Sequence, residues 1–259
     1  MQSAGAGISL IVPFRPDDEG RSEAWSWLER YWRWSLPGAE LLVTDDGGTP
    51  FSKTCSVNAA AAQAAGDVLV VMDADCYLNA DIIIACAEHV RLNRSWWIPY
   101  RAMWRLKRVV TQQLLAKDPE APMLLVLPPR DFEDVQGEEK AKTWAYAART
   151  HGALCQVIPA AGFREVGGMD PRFRGWGGED SSFAFALDTL WAPRSLNDSV
   201  DAAHLWHARI GEGKGPRGRM WVGQEAPRSG TNLRARYEHC SGKPGAMRSL
   251  VREGLRAVG

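Results

Sequence analysis

The run VLVVM at residues 68–72, followed at once by Asp73-Ala74-Asp75, constrains this chain more than any other stretch. Five uncharged residues leave both sides of the pleat apolar, which predicts a strand of a parallel sheet covered on both faces. Asp73 and Asp75 then fall where that strand ends. Two carboxylates one residue apart, with only the small Ala74 between them, can reach a hard divalent cation and the phosphate oxygens it neutralises. The same acids also suit a plain strand-to-helix turn that they cap without binding anything.

The segments before it repeat the pattern. ISLIVP (8–13) predicts a first strand, opening into the polar turn FRPDD (14–18). Trp25, Leu28 and Trp32 recur at helical spacing and predict an amphipathic helix over 21–34 with its tryptophans in the core. Pro37-Gly38 ends it, and ELLVT (40–44) predicts a second strand that again runs into acids, Asp45-Asp46. SVNAAAAQAA (56–65) predicts an alanine-rich helix that Gly66 terminates. Alternating strands and helices argue an α/β doubly wound sheet, in which ligands bind outside the carboxyl ends of the strands. All three predicted strands carry acids or arginine at that edge, which favours a functional role for Asp73 and Asp75.

Further along, a helix over 81–92 and a strand over 96–100 are expected. Residues 104–150 read as a helix, a surface excursion rich in charge and proline, and a helix near 143–149, after which 155–161 resumes the sheet. The segment VGGMDPRFRGWGGED (166–180) follows, with Glu179 and Asp180 opening a helix. A glycine loop followed by acids can simply complement a helix dipole. Glycines on both sides of Trp176, however, cost more chain entropy than an ordinary loop requires, so the segment reads as functional. His204 and His207, three apart after a strand-like 198–203, fit a metal shell in a chain that already offers paired acids. GEGKGPRGRMWVG (211–223) has the composition of a mobile loop able to order over an anionic ligand. The tail, 232–258, looks helical and arginine-rich, with Tyr237 and Leu250 facing inward.

Composition excludes several classes. With 259 residues and 45% hydrophobic content the chain can bury one large core. Lys+Arg and Asp+Glu are equal at 31 each, so no global field draws it to nucleic acid or an anionic membrane. Cysteines 55, 76, 86, 155 and 240 lack metal-type spacing and read as reduced thiols. No apolar run approaches the roughly 18 residues of a membrane helix, and the first residues lack a basic leader. A cytoplasmic protein without a membrane span or a nucleic-acid partner is expected.

VMDADCYL, VGGMDPRFRGWGGEDSSFAFAL and HLWH, in that order, resemble the GT-A glycosyltransferases. Specifically, they resemble the family-2-like branch sharing the C-terminal region of β-1,4-galactosyltransferases and polypeptide N-acetylgalactosaminyltransferases. The resemblance covers residues 8–240 apart from 104–150. It implies a single GT-A domain: a Rossmann-like nucleotide-sugar-binding half over about 8–100, an acceptor and catalytic half over about 150–210, the loop 211–223 and a helical tail from 224. A UDP-sugar donor carrying a hexose or N-acetylhexosamine, an acceptor hydroxyl on a glycan or a protein Ser/Thr, and Mn2+ or Mg2+ are implied with it.

Residue by residue, Pro13 and Arg15, with Asp45 or Asp46, resemble the pocket for the nucleotide base. Asn58 and Asp73 would sit by the ribose and sugar of the donor. Asp75 resembles the carboxylate that binds the metal at the diphosphate, and His207 the late histidine ligand. His204 stands where galactosyltransferases have a methionine that also touches the metal, which makes it a further candidate ligand. Trp176, Gly177 and Gly178 resemble the wall holding donor sugar against acceptor, Glu179 a sugar-hydroxyl ligand, and Asp180 the catalytic base. Retaining relatives usually carry Asn in place of Asp180, so inversion is expected. The anchor, stem and disulfides of animal relatives, and the lectin domain of the N-acetylgalactosaminyltransferases, have no counterpart. That implies a bacterial or bacteriophage enzyme whose acceptor choice rests on 104–150 and the final helix. Two alternatives compete: a nucleotidyltransferase, for which VPFRPDDEG makes a poor phosphate loop, and a catalytically silent sugar- or nucleotide-binding scaffold, which has no reason to keep Asp73, Asp75, Glu179, Asp180 and His207 together.

Overall fold

The computed structural model describes residues 3–16, 20–48, 51–121, 154–174, 177–197, 199–207 and 233–256. The expected helix at 143–149, the loop 211–223 and Trp176 lie outside the described residues.

The predicted strands form where their patterns put them: β1 (Ile8–Pro13), β2 (Glu40–Thr44) and β3 (Val68–Met72). With β5 (Trp96–Ile98), β7 (Cys155–Pro159) and β8 (Arg194–Leu196) they make a six-stranded sheet in the order β2-β1-β3-β7-β5-β8. β1 pairs in parallel with β2 and β3, and β5 with β8, while β7 runs antiparallel to both β3 and β5. Five strands therefore point one way and β7 the other, the mostly parallel α/β sheet expected. Every residue of β1 and β3 is buried; β3 is apolar throughout, and the one polar side chain of β1, Ser9, donates its hydroxyl to Glu40 Oε2 at 2.6 Å. Burying the five side chains of β3 contributes on the order of 10 kcal/mol before ordering entropy is set against it.

Helices α1 (Arg21–Ser35), α2 (Lys53–Gln63) and α3 (Ala80–Leu92) alternate with these strands. In α1, Trp25, Leu28 and Trp32 are buried as predicted, joined by Trp27 and Tyr31. α2 starts at Lys53, three residues before the expected start at Ser56, because Ser52 accepts a hydrogen bond from the Cys55 N–H and caps it. A second, three-stranded sheet in the order β4-β9-β6 consists of β4 (Cys76–Tyr77), β6 (Ala102–Arg105) and β9 (Asp201–His204). β4 and β6 are too short to show a period in the sequence. α4 (Arg108–Leu115) follows β6.

The expected strand 155–161 stops at Pro159, and Ala160 begins α5 (Ala160–Glu165). α6 (Glu179–Leu190) starts at the two predicted acids. The tail is two helices, α7 (Leu233–Cys240) and α8 (Pro244–Arg256). Gly242, at φ +70°, turns the chain between them, and Pro244 fits the first helical position, where its missing N–H is no loss. Tyr237 and Leu250 are buried. Among the described residues no helix is long and apolar enough to cross a membrane.

Candidate active site

The carboxyl ends of β1 and β3 lie side by side, and the order β2-β1-β3 makes that junction the point where the winding reverses. Just past β3, the Asp73 N–H donates to the Leu154 carbonyl at 2.8 Å, while Cys76 N–H donates to the Asp73 carbonyl at 3.1 Å. Leu154 has φ 79°, a left-handed conformation that strains a leucine, so backbone strain is stored beside Asp73.

Pairing within the small sheet supplies the histidines. β4 and β9 run antiparallel with Cys76 opposite His204, and the Leu205 N–H donates to the Asp75 carbonyl at 2.8 Å. His204 and His207 are thereby carried to Asp75 across about 130 residues of sequence. His207 Nε2 lies 3.2 Å from Asp75 Oδ2, and His204 Nε2 3.7 Å from Oδ1. One ligand atom from each of the three lies within 4.8 Å of the others. Arg21, at the start of α1, donates from Nε to Asp75 Oδ2 at 3.2 Å.

Asp75 is 2% exposed, and its Oδ1 is buried without a hydrogen-bond partner. Burial alone pushes its carboxyl up, but His204, His207 and Arg21 together outweigh that and hold it well below the ordinary range. Burial pushes His204 down, against the pull of Asp75, which favours the neutral imidazole that ligates metals. A carboxylate with an orphaned buried oxygen facing two imidazoles is a donor set that fits a divalent cation.

The second cluster joins the ends of β3, α2 and α6. Lys53 Nζ lies 2.6 Å from Asp73 Oδ1 and 2.8 Å from Asp180 Oδ1. Burial lowers the affinity of the lysine for its proton, but Asp180, Asp73 and Glu179 more than offset this and raise it. Burial raises the Asp180 carboxyl, with Lys53 pulling it back. Glu179 is pushed up to about 7, first by burial and then by the charge of Asp180. Its Oε2 accepts the Gly177 N–H at 2.8 Å. Gly177 and Gly178, at φ 110° and 91°, adopt backbone closed to other side chains without strain, and this turn delivers the two acids into the first turn of α6.

The remaining predicted residues divide between two places. Arg15, two residues beyond β1 and its last residue Pro13, forms a two-pronged ion pair with Asp45 and donates to the Gly48 carbonyl at 2.7 Å. Hydrogen bonding to Arg15 holds Asp45 down at about 2. Asp46 lies 3.4 Å from Arg15 and accepts the Ser52 N–H at 3.1 Å, tying this group to the start of α2. The guanidinium of Arg15 sits 5.2 Å over the ring of Phe51. Asn58 is engaged elsewhere: its amide donates to the Met169 carbonyl at 2.7 Å and accepts the Met169 N–H at 2.9 Å, clamping the glycine loop to α2. Trp176 lies outside the described residues.

Lys53, Arg21 and Phe51 escaped the sequence reading. The available signal for Lys53 was positional, since Ser52 caps α2 and places a cation at the first residue of a helix, where the dipole disfavours one. Nothing in the sequence marks Arg21 as a neighbour of Asp75.

Residues 138–185 match the family model described as the N-terminal domain of galactosyltransferase. The match bears out the galactosyltransferase resemblance. It takes in the glycine loop and the two acids at the start of α6, and with them the reading of the chain as a sugar-transferring enzyme. No curated protein matches by sequence. Among solved structures, the chain is similar to the catalytic domain of Drosophila β1,4-galactosyltransferase 7 in complex with xylobiose, at 13% identity over 76% of this chain and 69% of that one, TM-score 0.42. It is similar to GalNAc-T7 with UDP, GalNAc and Mn2+ at 12% identity over 76% of this chain and 37% of that one, TM-score 0.44. A mannosyltransferase from Pyrobaculum calidifontis in complex with GDP-Man and Mn2+ gives 16% identity over 98% of this chain and 77% of that one, TM-score 0.46.

Proposed function

We propose that this chain is a metal-dependent glycosyltransferase that moves a hexose or N-acetylhexosamine from a UDP-sugar to an acceptor hydroxyl of a glycan or a protein Ser/Thr, with inversion. The observation that carries the proposal is the convergence of Asp75, His204 and His207 around a buried carboxylate oxygen without a hydrogen-bond partner, at the carboxyl edge of the sheet. These three residues would hold the metal, and two imidazoles in the set favour Mn2+ over the oxygen-seeking Mg2+. Bound there, a divalent cation supplies Lewis-acid stabilisation to a departing diphosphate.

The chain's own groups do the rest. Asp180 accepts the proton of the acceptor hydroxyl as that oxygen bonds to the anomeric carbon, while the bond from that carbon to the diphosphate oxygen breaks and UDP departs with its electron pair. Glu179, one residue before it, faces the same space and holds a sugar hydroxyl. Asp73 faces the donor, with Arg15, Asp45 and Asp46 at the neighbouring strand ends for the base. The whole is one domain, with the donor half formed by about 8–100 and the acceptor half by about 150–210. Unpaired cysteines among the described residues and balanced charge suit the cytoplasm of a bacterium or a phage-infected cell.

The test is UDP release from a panel of UDP-sugars with Mn2+ and no added acceptor. Wild-type protein is expected to hydrolyse one donor slowly, Asp75→Ala to lose that turnover, and Asp180→Asn to lose about 100- to 10,000-fold while still binding donor. Absence of both turnover and metal-dependent UDP binding would leave a silent scaffold.

A further inference from the structure

We infer that Lys53 is a positioning residue for the catalytic base: it holds Asp180 against Asp73 and keeps that carboxylate charged and oriented for the acceptor hydroxyl. The inference rests on Asp180 being the base, as proposed above.

Three observations carry it. The first is geometry: one ammonium spans two carboxylates from separate elements, 2.6 Å from Asp73 after β3 and 2.8 Å from Asp180 in the first turn of α6. Lys53 contacts Oδ1 of Asp180, so the other carboxylate oxygen can face an acceptor.

The second is the way α2 is fixed. Ser52 Oγ and Thr54 Oγ1, on either side of Lys53, both donate to the Phe173 carbonyl, at 3.1 and 3.2 Å, and both residues are buried. The backbone on either side of Lys53 is thereby anchored to the segment that leads to Asp180.

The third is the helix dipole. A lysine at the first residue of α2, in a first turn with no acid, works against the helix dipole. The two carboxylates are what hold the cation there. It serves a group that needs a cation, since a carboxyl buried as Asp180 is would otherwise take up a proton.

Among the described residues, the other charged or titratable groups facing Asp180 are Asp73 at the end of β3, Glu179 beside it on α6, and Tyr100 just after β5, whose buried hydroxyl has no hydrogen-bond partner. Asp73 and Glu179 both push Asp180 toward its protonated form or compete for the same cation. Among the described residues, Lys53 is the cation that opposes them.

The experiment is the pH profile of kcat/KM for UDP release with Mn2+, using whichever of UDP-galactose, UDP-glucose and their N-acetylamino forms the wild type hydrolyses fastest. A base must be ionised, so activity falls on the acidic side. Lys53→Met is expected to move that acidic limb to higher pH by at least about one unit, and to recover much of its lost rate when the pH is raised. Lys53→Arg, which keeps the charge, is expected to leave the limb near its wild-type place.

A Lys53→Met profile that falls by the same factor at every pH overturns the inference, as does a rise in donor KM with an unmoved limb. If Lys53→Met does not fold, a folded Lys53→Arg whose limb has moved upward by more than a unit overturns it as well. Asp180→Asn separates the two levels: retained turnover there refutes the base assignment itself, whereas lost turnover with an unmoved Lys53→Met limb refutes only the role of Lys53.

Discussion

Gly254→Ala in α8 sets two effects of opposite sign against each other, and the structure gives the magnitudes that decide between them. Alanine in place of glycine inside a helix normally stabilises by about 1 kcal/mol. Here a Cβ at Gly254 would stand 2.7, 2.8 and 2.9 Å from Oδ1, Cγ and Oδ2 of Asp170. That carboxylate is not free to yield. It is buried and accepts from Arg172 Nε at 3.0 Å, from the Arg172 backbone N–H at 2.9 Å and from the Tyr237 hydroxyl at 2.9 Å. Arg172 in turn donates to the Leu250 carbonyl of α8 at 3.1 Å.

Either α8 moves outward, an overpacking penalty of about 1–3 kcal/mol, or Asp170 gives up a bond to a charged buried group, about 1.5–3 kcal/mol. Loss exceeds gain, and a net destabilisation of about 1 kcal/mol is expected, lowering Tm by roughly 2–4 °C. Gly245→Ala is the internal control: it lies in the first turn of the same helix with nothing within 4 Å of the added Cβ, and should be neutral or slightly stabilising. Urea and thermal unfolding of both variants provide the assay. A Gly254→Ala protein as stable as wild type, or the same response at both positions, would refute the reasoning. The network ties α7 and α8 to the loop that ends at Glu179, so the same variant should also lower turnover.

Metal binding should appear as stability: Mn2+ at about a hundred times its Kd is expected to add about 2.7 kcal/mol to wild type and to leave the melting of Asp75→Ala unchanged, and an equal shift in both would place the metal elsewhere. Glu179 should make stability depend on pH. Its folded-state value, about 7, lies above the ordinary carboxylate value, so its contribution is full at low pH and is lost as pH rises through 7. Wild type should therefore lose stability relative to Glu179→Gln between about pH 4.5 and 7.5, and parallel curves across that window would contradict this account.

The local pattern of the chain determined the strands that frame the site and the acids at their ends. VLVVM is apolar on both faces and lies buried on both, and its length alone placed Asp73 and Asp75 at the carboxyl edge. The glycines before Glu179 marked a turn of positive φ leading into a helix, because few other residues adopt that backbone. Long-range pairing decided the rest. His204 and His207 were recognisable as candidate ligands, but only the register of β4 against β9 brings them to Asp75. The reversed direction of β7 was likewise invisible, since an apolar run carries no sign of which way it points. Lys53 reads in the sequence as an ordinary polar residue after a serine. Its place between Asp73 and Asp180 arises from the meeting of three elements in space, and no local spacing encodes a contact made 20 residues away on one side and 127 on the other.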